Sequence, residues 1–319
     1  MGTRRVTRGV AVAAGVLLGV ALGPTPEVGV EVAWAKAHDG EGTKKYAPGR
    51  GPSKKRKSKR RSRRDIRRAG RGAPDPKSPK RAATPSPAPS RSFRIPRKKK
   101  GTCFKNMAKV GGAFCIDRYE AYVAEVLPSG KLRRLSPYAP VGDKPNLRAL
   151  VRKGRMPQGY ISRNQAERAC RNSGKRLCTD SEWVRACKGK KPTTWPYGDE
   201  HKARRCNDRG RSHFNELFGE GGEAAPQSAY TFENLNDPRL NRAKGTCAAA
   251  GKFRRCRNSY GLYDMVGNLH EWTATPSGTF RGGYYLDVHQ HGDGCDYKTT
   301  AHAPRYHDYS TGFRCCADL

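Results

Sequence analysis

Two histidines, three aspartates and one cysteine lie within RGGYYLDVHQHGDGCD, at positions 281–296. Asp287, His289 and His291 are two residues apart, so an extended backbone would place them on one face. Two histidines and one carboxylate are the ligand set of nonheme iron oxygenases. Side chains four residues apart on a straight strand are separated by about 13 Å, so three ligands need a bend in the chain. The alternative interpretation is a polar surface loop that holds no metal.

The cysteines indicate an oxidising compartment. All eleven lie at or after Cys103, a density typical of disulfide-linked domains, and the odd number leaves one thiol over. At the N-terminus a basic start, MGTRRVTR, precedes an apolar run at 9–23 and the cleavage-like triplet Ala33-Trp34-Ala35. This pattern predicts a secretory signal peptide over residues 1–35, with an uncleaved anchor helix as the alternative. We therefore expect a secreted protein, or one of the periplasm or cell envelope.

Residues 36–100 form a strongly basic segment. They hold 25 basic and 4 acidic residues, are rich in Pro and Ser, and have almost no apolar side chains. Such a composition cannot bury enough surface to offset chain entropy, so we expect this linker to be disordered. It is either a solvated spacer or a tether in which residues 44–100 bind an anionic envelope surface or another polyanion. The predicted signal peptide argues against specific nucleic acid recognition.

The chain after the basic segment carries the signals of helices, strands and long loops. Ser162–Gln165 and Thr179–Glu182 each have the pattern of a capping box, which predicts the start of a helix. The apolar spacing in residues 111–126 predicts a strand. Residues 190–255 are rich in Gly, Asn, Asp and Pro, so this stretch should be irregular and should need disulfides to hold it.

Five motifs occur in order along the same part of the chain: GKRLCTDSEWVRACKG, WPYGDE, YGLYDMVGNLHEWT, FRGGYY and GFRCC. Together they resemble the sulfatase-modifying factor family, which has the fold of the formylglycine-generating enzyme. The resemblance implies an α+β domain over residues 101–319, with a C-type-lectin-like core, long irregular loops and several disulfides. The irregular composition of residues 190–255 agrees with this expectation.

The resemblance also implies cysteine pairs. Two long-range bridges follow from it, and a third, local bridge is plausible from its position: Cys170–Cys315, Cys187–Cys295 and Cys103–Cys115. Cys206 should pair with either Cys247 or Cys256. Cys178 could pair with Cys316, although Cys316 and its neighbour on a strand point to opposite faces.

A calcium ion is expected in the turn DMVGNLHE. In the family this turn binds calcium, and the matching ligands are the carboxylates of Asp264 and Glu271 and the carbonyls of Gly267 and Leu269. Calcium prefers six to eight hard oxygen ligands, which such a turn supplies. The alternative is that the polar side chains only hydrogen-bond the turn. The resemblance suggests a second calcium site at Asn207 and the carbonyl of Asp208, for which the remaining ligands cannot be placed in residues 210–245.

Four positions depart from the pattern of the copper-dependent oxidases in this family. Their copper is bound by two cysteines after the RGG motif, because a soft monovalent ion needs thiolates. The matching positions here are Asp287 and, for the second cysteine, a position near Gly292. A serine of the family is replaced by Tyr284, and a tryptophan is replaced by His270. We therefore do not expect copper-dependent formylglycine formation.

The expected function is that of a secreted sulfatase-modifying factor domain protein that is repurposed for binding. Its loops, roughly 200–256 and 284–310, would present a surface to an unknown protein or glycan ligand. The alternative is an oxidoreductase of the wider family that uses nonheme iron or another metal, held by Asp287, His289 and His291. Because three ligands on a straight strand cannot meet at one ion, the third ligand could come instead from His302 or His307.

Overall fold

The computed structural model describes residues 94–319 of the protein. The predicted signal peptide (1–35) and the predicted basic linker, apart from its last seven residues, lie outside the described residues. Within 94–319, no helix is both long and apolar enough to cross a bilayer. Short strands at both ends of the described chain flank a mainly helical middle, and this segregation of strands and helices confirms the predicted α+β class.

The two long helices begin where the capping boxes predict. Helix α1 covers Arg163–Arg171 and helix α2 covers Asp180–Lys188, and both capping boxes are formed. Three shorter helices follow in the region for which the composition predicts irregular structure: α3 (His213–Phe218), α4 (Phe232–Leu235) and α5 (Arg239–Arg242). Single 3₁₀ turns cover Gln227–Ala229 and Gly294–Asp296. Apart from these, most of residues 190–255 is loop.

Eleven short strands form three sheets within the described part of the chain. They are β1 (Met107–Val110), β2 (Phe114–Asp117), β3 (Tyr122–Val126), β4 (Leu132–Arg134), β5 (Leu147–Leu150), β6 (Arg176–Leu177), β7 (His270–Trp272), β8 (Phe280–Arg281), β9 (Lys298–Thr299), β10 (Thr311–Phe313) and β11 (Cys315–Asp318). The strand orders are β1-β2-β11-β6, β10-β7-β8-β9 and β4-β3-β5. Only the β10–β7 pairing among them is parallel.

The single strand predicted over residues 111–126 is wrong, because the chain forms β2 and β3 there, in different sheets. Between them the Arg118 N–H donates to the Asn106 carbonyl, and the Ala121 N–H donates to the Phe313 carbonyl. These hydrogen bonds to distant residues hold the backbone where it passes from the sheet of β2 to the sheet of β3. The crossing places the side chain of Glu120 inside the domain, where it is 1% exposed.

The core lies between the helices and the sheets. Helix α1 buries Ala166 and Ala169 in a cluster that contains Trp272 and Phe313. Helix α2 buries Trp183 in a second cluster with apolar residues of β1 and β2. The apolar faces of both helices therefore hold β7, β10 and β11 in place beneath the loops that follow them.

Five disulfides staple the domain: Cys103–Cys115, Cys170–Cys315, Cys178–Cys316, Cys187–Cys295 and Cys206–Cys256. The first, second and fourth are the pairs expected from the sequence. Of the two partners left open for Cys206, the structure selects Cys256. Cys247 is the remaining thiol.

The geometry of β11 explains why two adjacent cysteines can both be bridged. Side chains alternate between the two faces of a strand. Cys315 therefore reaches Cys170 at the end of α1, and Cys316 reaches Cys178 in front of α2. The alternation of side chains along β11 therefore does not prevent the Cys178–Cys316 bridge but keeps it apart from Cys170–Cys315.

Candidate functional site

The loop after β8 begins with two glycines in the left-handed region. Gly282 and Gly283 have φ angles of 84° and 66°. A tight turn follows, in which the N–H of Tyr284 donates to the carbonyl of Asp287 at 2.8 Å. The carboxylate Oδ1 of Asp287 accepts the N–H groups of His289 and Gln290 at 2.9 and 3.0 Å. Asp287 therefore caps a turn of its own loop.

The two loop histidines have separate surroundings. His289 Nδ1 lies 2.6 Å from Asp293 Oδ1, and its half-exposed ring lies 5.1 Å from the ring of Trp195. The ring of His291 contacts the edge of Tyr297 at 5.5 Å, and partial burial lowers its pKa below the usual value. No group of three His, Cys, Asp or Glu side chains within residues 94–319 is arranged to hold a metal ion.

The extended geometry on which the metal interpretation of Asp287, His289 and His291 depends is absent. Residues 287–293 contain bends and a turn but no strand, so the spacing of two does not put the three side chains on one face. The structure thus does not bring the predicted trio together. The physical reason is the turn that Asp287 itself caps.

His270, at the first position of β7, is a buried hydrogen-bonding residue. Its Nδ1 lies 3.1 Å from Ser310 Oγ, and its Nε2 lies 3.2 Å from the hydroxyl of Tyr297. The rings of Phe280 and Tyr284 pack on it with centroid distances of 4.5 and 4.8 Å. Burial lowers the pKa of His270 well below its usual value, so the imidazole is neutral.

The residues at or near the positions expected for copper thiolates determine the backbone conformation of the loop. Gly292 has a φ of 104°, and a Cβ added there would lie 3.0 Å from the carbonyl oxygen of Asp296. Cys295, the cysteine of this loop, is bonded to Cys187 on α2. The loop around Asp287 therefore has no thiol that could bind a soft metal ion.

The turn from Asp264 to Glu271 is built around buried charge. Asp264 and Asn268 have positive φ angles of 53° and 65°. The Asp264 carboxylate accepts the N–H of Gly251 at 2.6 Å. The Glu271 carboxylate accepts hydrogen bonds from Arg314, at 2.6 Å on each oxygen, and from the indole N–H of Trp183 at 2.7 Å.

Glu120 is a residue of this turn that sequence reasoning missed. Its carboxyl accepts the side-chain amide of Asn268 at 2.5 Å and the N–H of Leu269 at 3.2 Å. Burial, with the neighbouring charges of Asp264 and Glu271, raises the pKa of Glu120 well above its usual value. Burial also raises the pKa of Asp264 to about 7. Three carboxyls thus share one buried guanidinium.

The carboxylate and carbonyl oxygens of this turn are the kind of ligands that calcium prefers. The buried carbonyl oxygens of Gly267 and Leu269 accept no hydrogen bond from the surrounding turn and loop backbone. A carboxylate has about four lone-pair positions, so Glu271 keeps acceptor capacity beside Arg314 and Trp183. The excess of buried carboxyls also favours a cation. The calcium prediction for Asp264, Gly267, Leu269 and Glu271 therefore stays a prediction.

Asn207, the candidate for a second calcium ion, links two loops. Its side-chain N–H₂ group donates to Asn268 Oδ1 at 2.8 Å and to the Thr246 carbonyl at 3.0 Å. Its own carbonyl accepts the N–H of Asn268 at 2.9 Å. These contacts use the nitrogen and the main-chain oxygen of Asn207, and the second calcium site also stays a prediction.

Comparison with known proteins agrees with the motifs. Residues 115–319 match the family described as "Sulfatase-modifying factor enzyme 1-like domain". The formylglycine-generating enzyme of Mycobacterium tuberculosis (strain ATCC 25618 / H37Rv) is 27% identical over 178 residues, 46% of this chain and 52% of the relative. "Inactive C-alpha-formylglycine-generating enzyme 2" of Bos taurus is 29% identical over 127 residues, 37% of this chain and 33% of the relative.

The chain spans about half the length, or less, of these curated relatives. Among solved structures, PvdO from Pseudomonas aeruginosa aligns with a TM-score of 0.36 and 15% identity, covering 70% of this chain and 100% of PvdO. The family match covers well over half of this chain, and it lies inside the domain predicted over 101–319. The chain therefore belongs to the sulfatase-modifying factor enzyme 1-like family.

Proposed function

We propose that this chain is a secreted member of the family that binds a protein or glycan ligand and does not oxidise cysteine. One observation carries the proposal: Asp287, which the resemblance places at the first copper thiolate, and Gly292, which lies near the expected second position, both shape the backbone of the loop. The nearby Cys295 is used in a disulfide. Without a thiolate pair the loop has no ligands suited to monovalent copper.

The side chains around His270 support the same proposal. Tyr284 replaces a small residue of the oxidases, and its ring lies on the buried, neutral imidazole of His270. The hydroxyl of Tyr297 holds the other side of that imidazole. A bulky aromatic side chain, Tyr284, therefore packs on His270 at the position where the resemblance implies a serine.

Two further observations agree with a secreted binding protein. Ten of the eleven cysteines form disulfides, which is typical of proteins outside the cytosol. One of the curated relatives carries the word "inactive" in its name, so a non-catalytic member of this family has a precedent. The nonheme iron alternative gains no comparable support, because Asp287 caps its turn and His289 is paired with Asp293.

The proposal is tested with the full chain in a peptide-cysteine oxidation assay. The chain is supplied with Cu(I), oxygen and a cysteine peptide, and the M. tuberculosis enzyme serves as the positive control. We expect no aldehyde product by mass spectrometry from this chain under conditions in which the control turns over. Product formation would overturn the proposal. Stoichiometric iron in the gently purified protein would instead favour the oxidoreductase alternative.

We also propose a structural calcium ion in the turn that follows Tyr263. Asp264, Gly267, Leu269 and Glu271 would hold it through two carboxylates and two carbonyls. The ion would offset the excess of buried carboxyls and would tie the turn to β7. Its contribution would be to the stability of the domain.

A further inference from the structure

Two segments of the chain have the same sequence pattern. Residues 202–206 read KARRC and residues 252–256 read KFRRC, so each places a lysine and two arginines directly before a cysteine. The two cysteines are bonded to each other, as Cys206–Cys256. The disulfide therefore joins the segments at equivalent ends and holds their basic residues side by side.

Together the two segments line a groove. It has a volume of about 430 Å³ and is lined by Lys202, Ala203, Arg204, Arg205, Lys252, Phe253, Arg254 and Arg255. The Arg205 guanidinium crosses between the segments, donating from Nε to the carbonyl of Arg255 at 3.2 Å. It also lies 4.7 Å above the ring of Tyr197. These contacts fix the width of the groove at its base.

The charge of this groove is not neutralised. None of its six cationic side chains forms an ion pair with a carboxylate of residues 94–319. The neighbouring Asp208 forms no ion pair with these side chains, because its carboxylate lies 2.8 Å from His201 and accepts the backbone N–H of Arg204. Six like charges at one concave site repel one another, and a bound anion would offset this repulsion.

We propose that the groove binds a linear glycan that carries sulfate or phosphate groups. Arginine presents a planar fork of donors that matches such tetrahedral oxyanions, and the groove supplies four arginines. A single small anion would contact only part of the cationic lining, whereas a chain with repeated oxyanions can neutralise all of it.

Two observations favour a glycan over a nucleic acid. Proteins that bind single strands stack successive bases on exposed aromatic rings, and the only aromatic side chain lining this groove, Phe253, is half-buried against the core. The disulfides also indicate a compartment outside the cytosol. This inference deepens the proposed binding function by naming a ligand class, and it rests on that function.

The test compares two charge-matched variants of the full chain. The groove variant is Lys202→Gln/Arg204→Gln/Lys252→Gln/Arg254→Gln, and the control is Lys109→Gln/Lys131→Gln/Arg134→Gln/Arg171→Gln. All eight side chains are exposed, and none forms a hydrogen bond within the described residues. Both variants lose the same charge and keep the same N-terminal segment, so the binding due to that segment cancels in the comparison.

Binding is measured by calorimetry at several salt concentrations with a heparin oligosaccharide, which carries sulfate, and with phosphomannan, which carries phosphate. We expect the groove variant to lose about tenfold or more in affinity for at least one of them, with a shallower salt dependence. The control should stay within about twofold of the wild type. The better ligand of the two identifies the oxyanion.

Equal losses in both variants would overturn the inference. A single-stranded oligonucleotide of matched charge that binds the groove as tightly as either glycan would overturn the assignment to glycans. The proposed function fails separately: aldehyde product in the peptide assay removes the non-catalytic proposal, whatever the groove binds.

Discussion

Removal of the amino group of Lys175 tests how the domain holds a buried carboxylate beside its last strand. Lys175 Nζ donates to Asp117 Oδ1 at 2.7 Å, and the two side chains are 8% and 0% exposed. Asp117 Oδ2 accepts the N–H of Cys315 at 3.1 Å. Burial raises the pKa of Asp117 above its ordinary value of 3.8, although Lys175 acts to lower it.

The variant Lys175→Met keeps an unbranched apolar side chain and leaves Asp117 without its cation. Removal of one partner from a buried ion pair lowers the free energy of unfolding by about 3–5 kcal/mol. Protonation of Asp117 sets an upper limit to this loss. Neutralising a carboxyl whose ordinary pKa is 3.8 costs about 1.4 kcal/mol for each pH unit above that value, or about 5 kcal/mol at pH 7.5 and about 1 kcal/mol at pH 4.5.

The direction of the pH dependence follows from proton binding. Burial raises the pKa of Asp117 in the folded state, and loss of Lys175, which acts to lower that pKa, raises it further, so the folded variant binds a proton more readily than the unfolded chain as pH falls. The stability of the variant therefore increases as pH falls. Its deficit relative to the wild type should shrink from about 3–5 kcal/mol at pH 7.5 to about 1 kcal/mol at pH 4.5.

Urea denaturation of the oxidised protein at both pH values measures this deficit. The fluorescence of the buried Trp183, Trp195 and Trp272 reports unfolding. The double variant Lys175→Met/Asp117→Asn is the control: relative to it, the single variant should gain stability as pH falls, because the double variant lacks the Asp117 carboxyl that takes up the proton. A loss below about 1 kcal/mol at pH 7.5, or an equal loss at both pH values, would refute the reasoning about burial.

Asp287→Cys/Gly292→Cys should not create a copper site, because the φ of 104° and the 3.0 Å approach of the Asp296 carbonyl disfavour a side chain at Gly292. One equivalent of Cu(I) bound in a chromophoric competition titration would contradict this. When free calcium is about 100 times the Kd of the site, its removal with EDTA should lower the Tm by roughly 5–11 °C. Calcium should restore the Tm of the wild type but not that of Asp264→Asn, and a Tm that ignores EDTA would remove the calcium proposal. Cys247 should react with iodoacetamide at least about tenfold more slowly than an unhindered thiol, because burial, with Glu120 and Asp264 nearby, raises its pKa well above the usual value. Intact-mass measurements over time check this rate, and rapid labelling of the folded protein would be the contrary result.

The parts of the fold that depend on local chemistry could be predicted from the sequence. The capping boxes at Ser162 and Thr179 determine where α1 and α2 begin, because each is formed by residues within one turn. The strand over 111–126 could not be predicted correctly. Its division into β2 and β3 is decided by Asn106 and Phe313, and Phe313 lies almost two hundred residues from the crossing.

The charged centre of the turn shows the same limit. The motif around Asp264 and Glu271 indicates a polar turn, and its residues could be named from the resemblance. The groups that surround them come from elsewhere: Glu120 from a crossing between sheets, and Arg314 from the single residue between β10 and β11. In the sequence Glu120 is one of several charged residues between 114 and 126, so nothing there marks it as buried or identifies its partner.

The loop at 281–296 shows why ligand-type residues alone do not predict a metal site. Aspartate is both a metal ligand and a residue that favours turns, because its side chain can accept backbone N–H groups two or three positions ahead. Asp287 does so with His289 and Gln290, and the turn it caps ends the extended geometry that a shared ligand face requires. The residue that most strongly suggests a metal in the sequence is therefore the residue that prevents the three-ligand arrangement in the structure. The two K-x-R-R-C segments differ, since the Cys206–Cys256 disulfide holds their basic side chains together at one surface, where a bound anion would offset their repulsion. For this reason we propose the basic groove, and not the histidine loop, as the ligand-binding site.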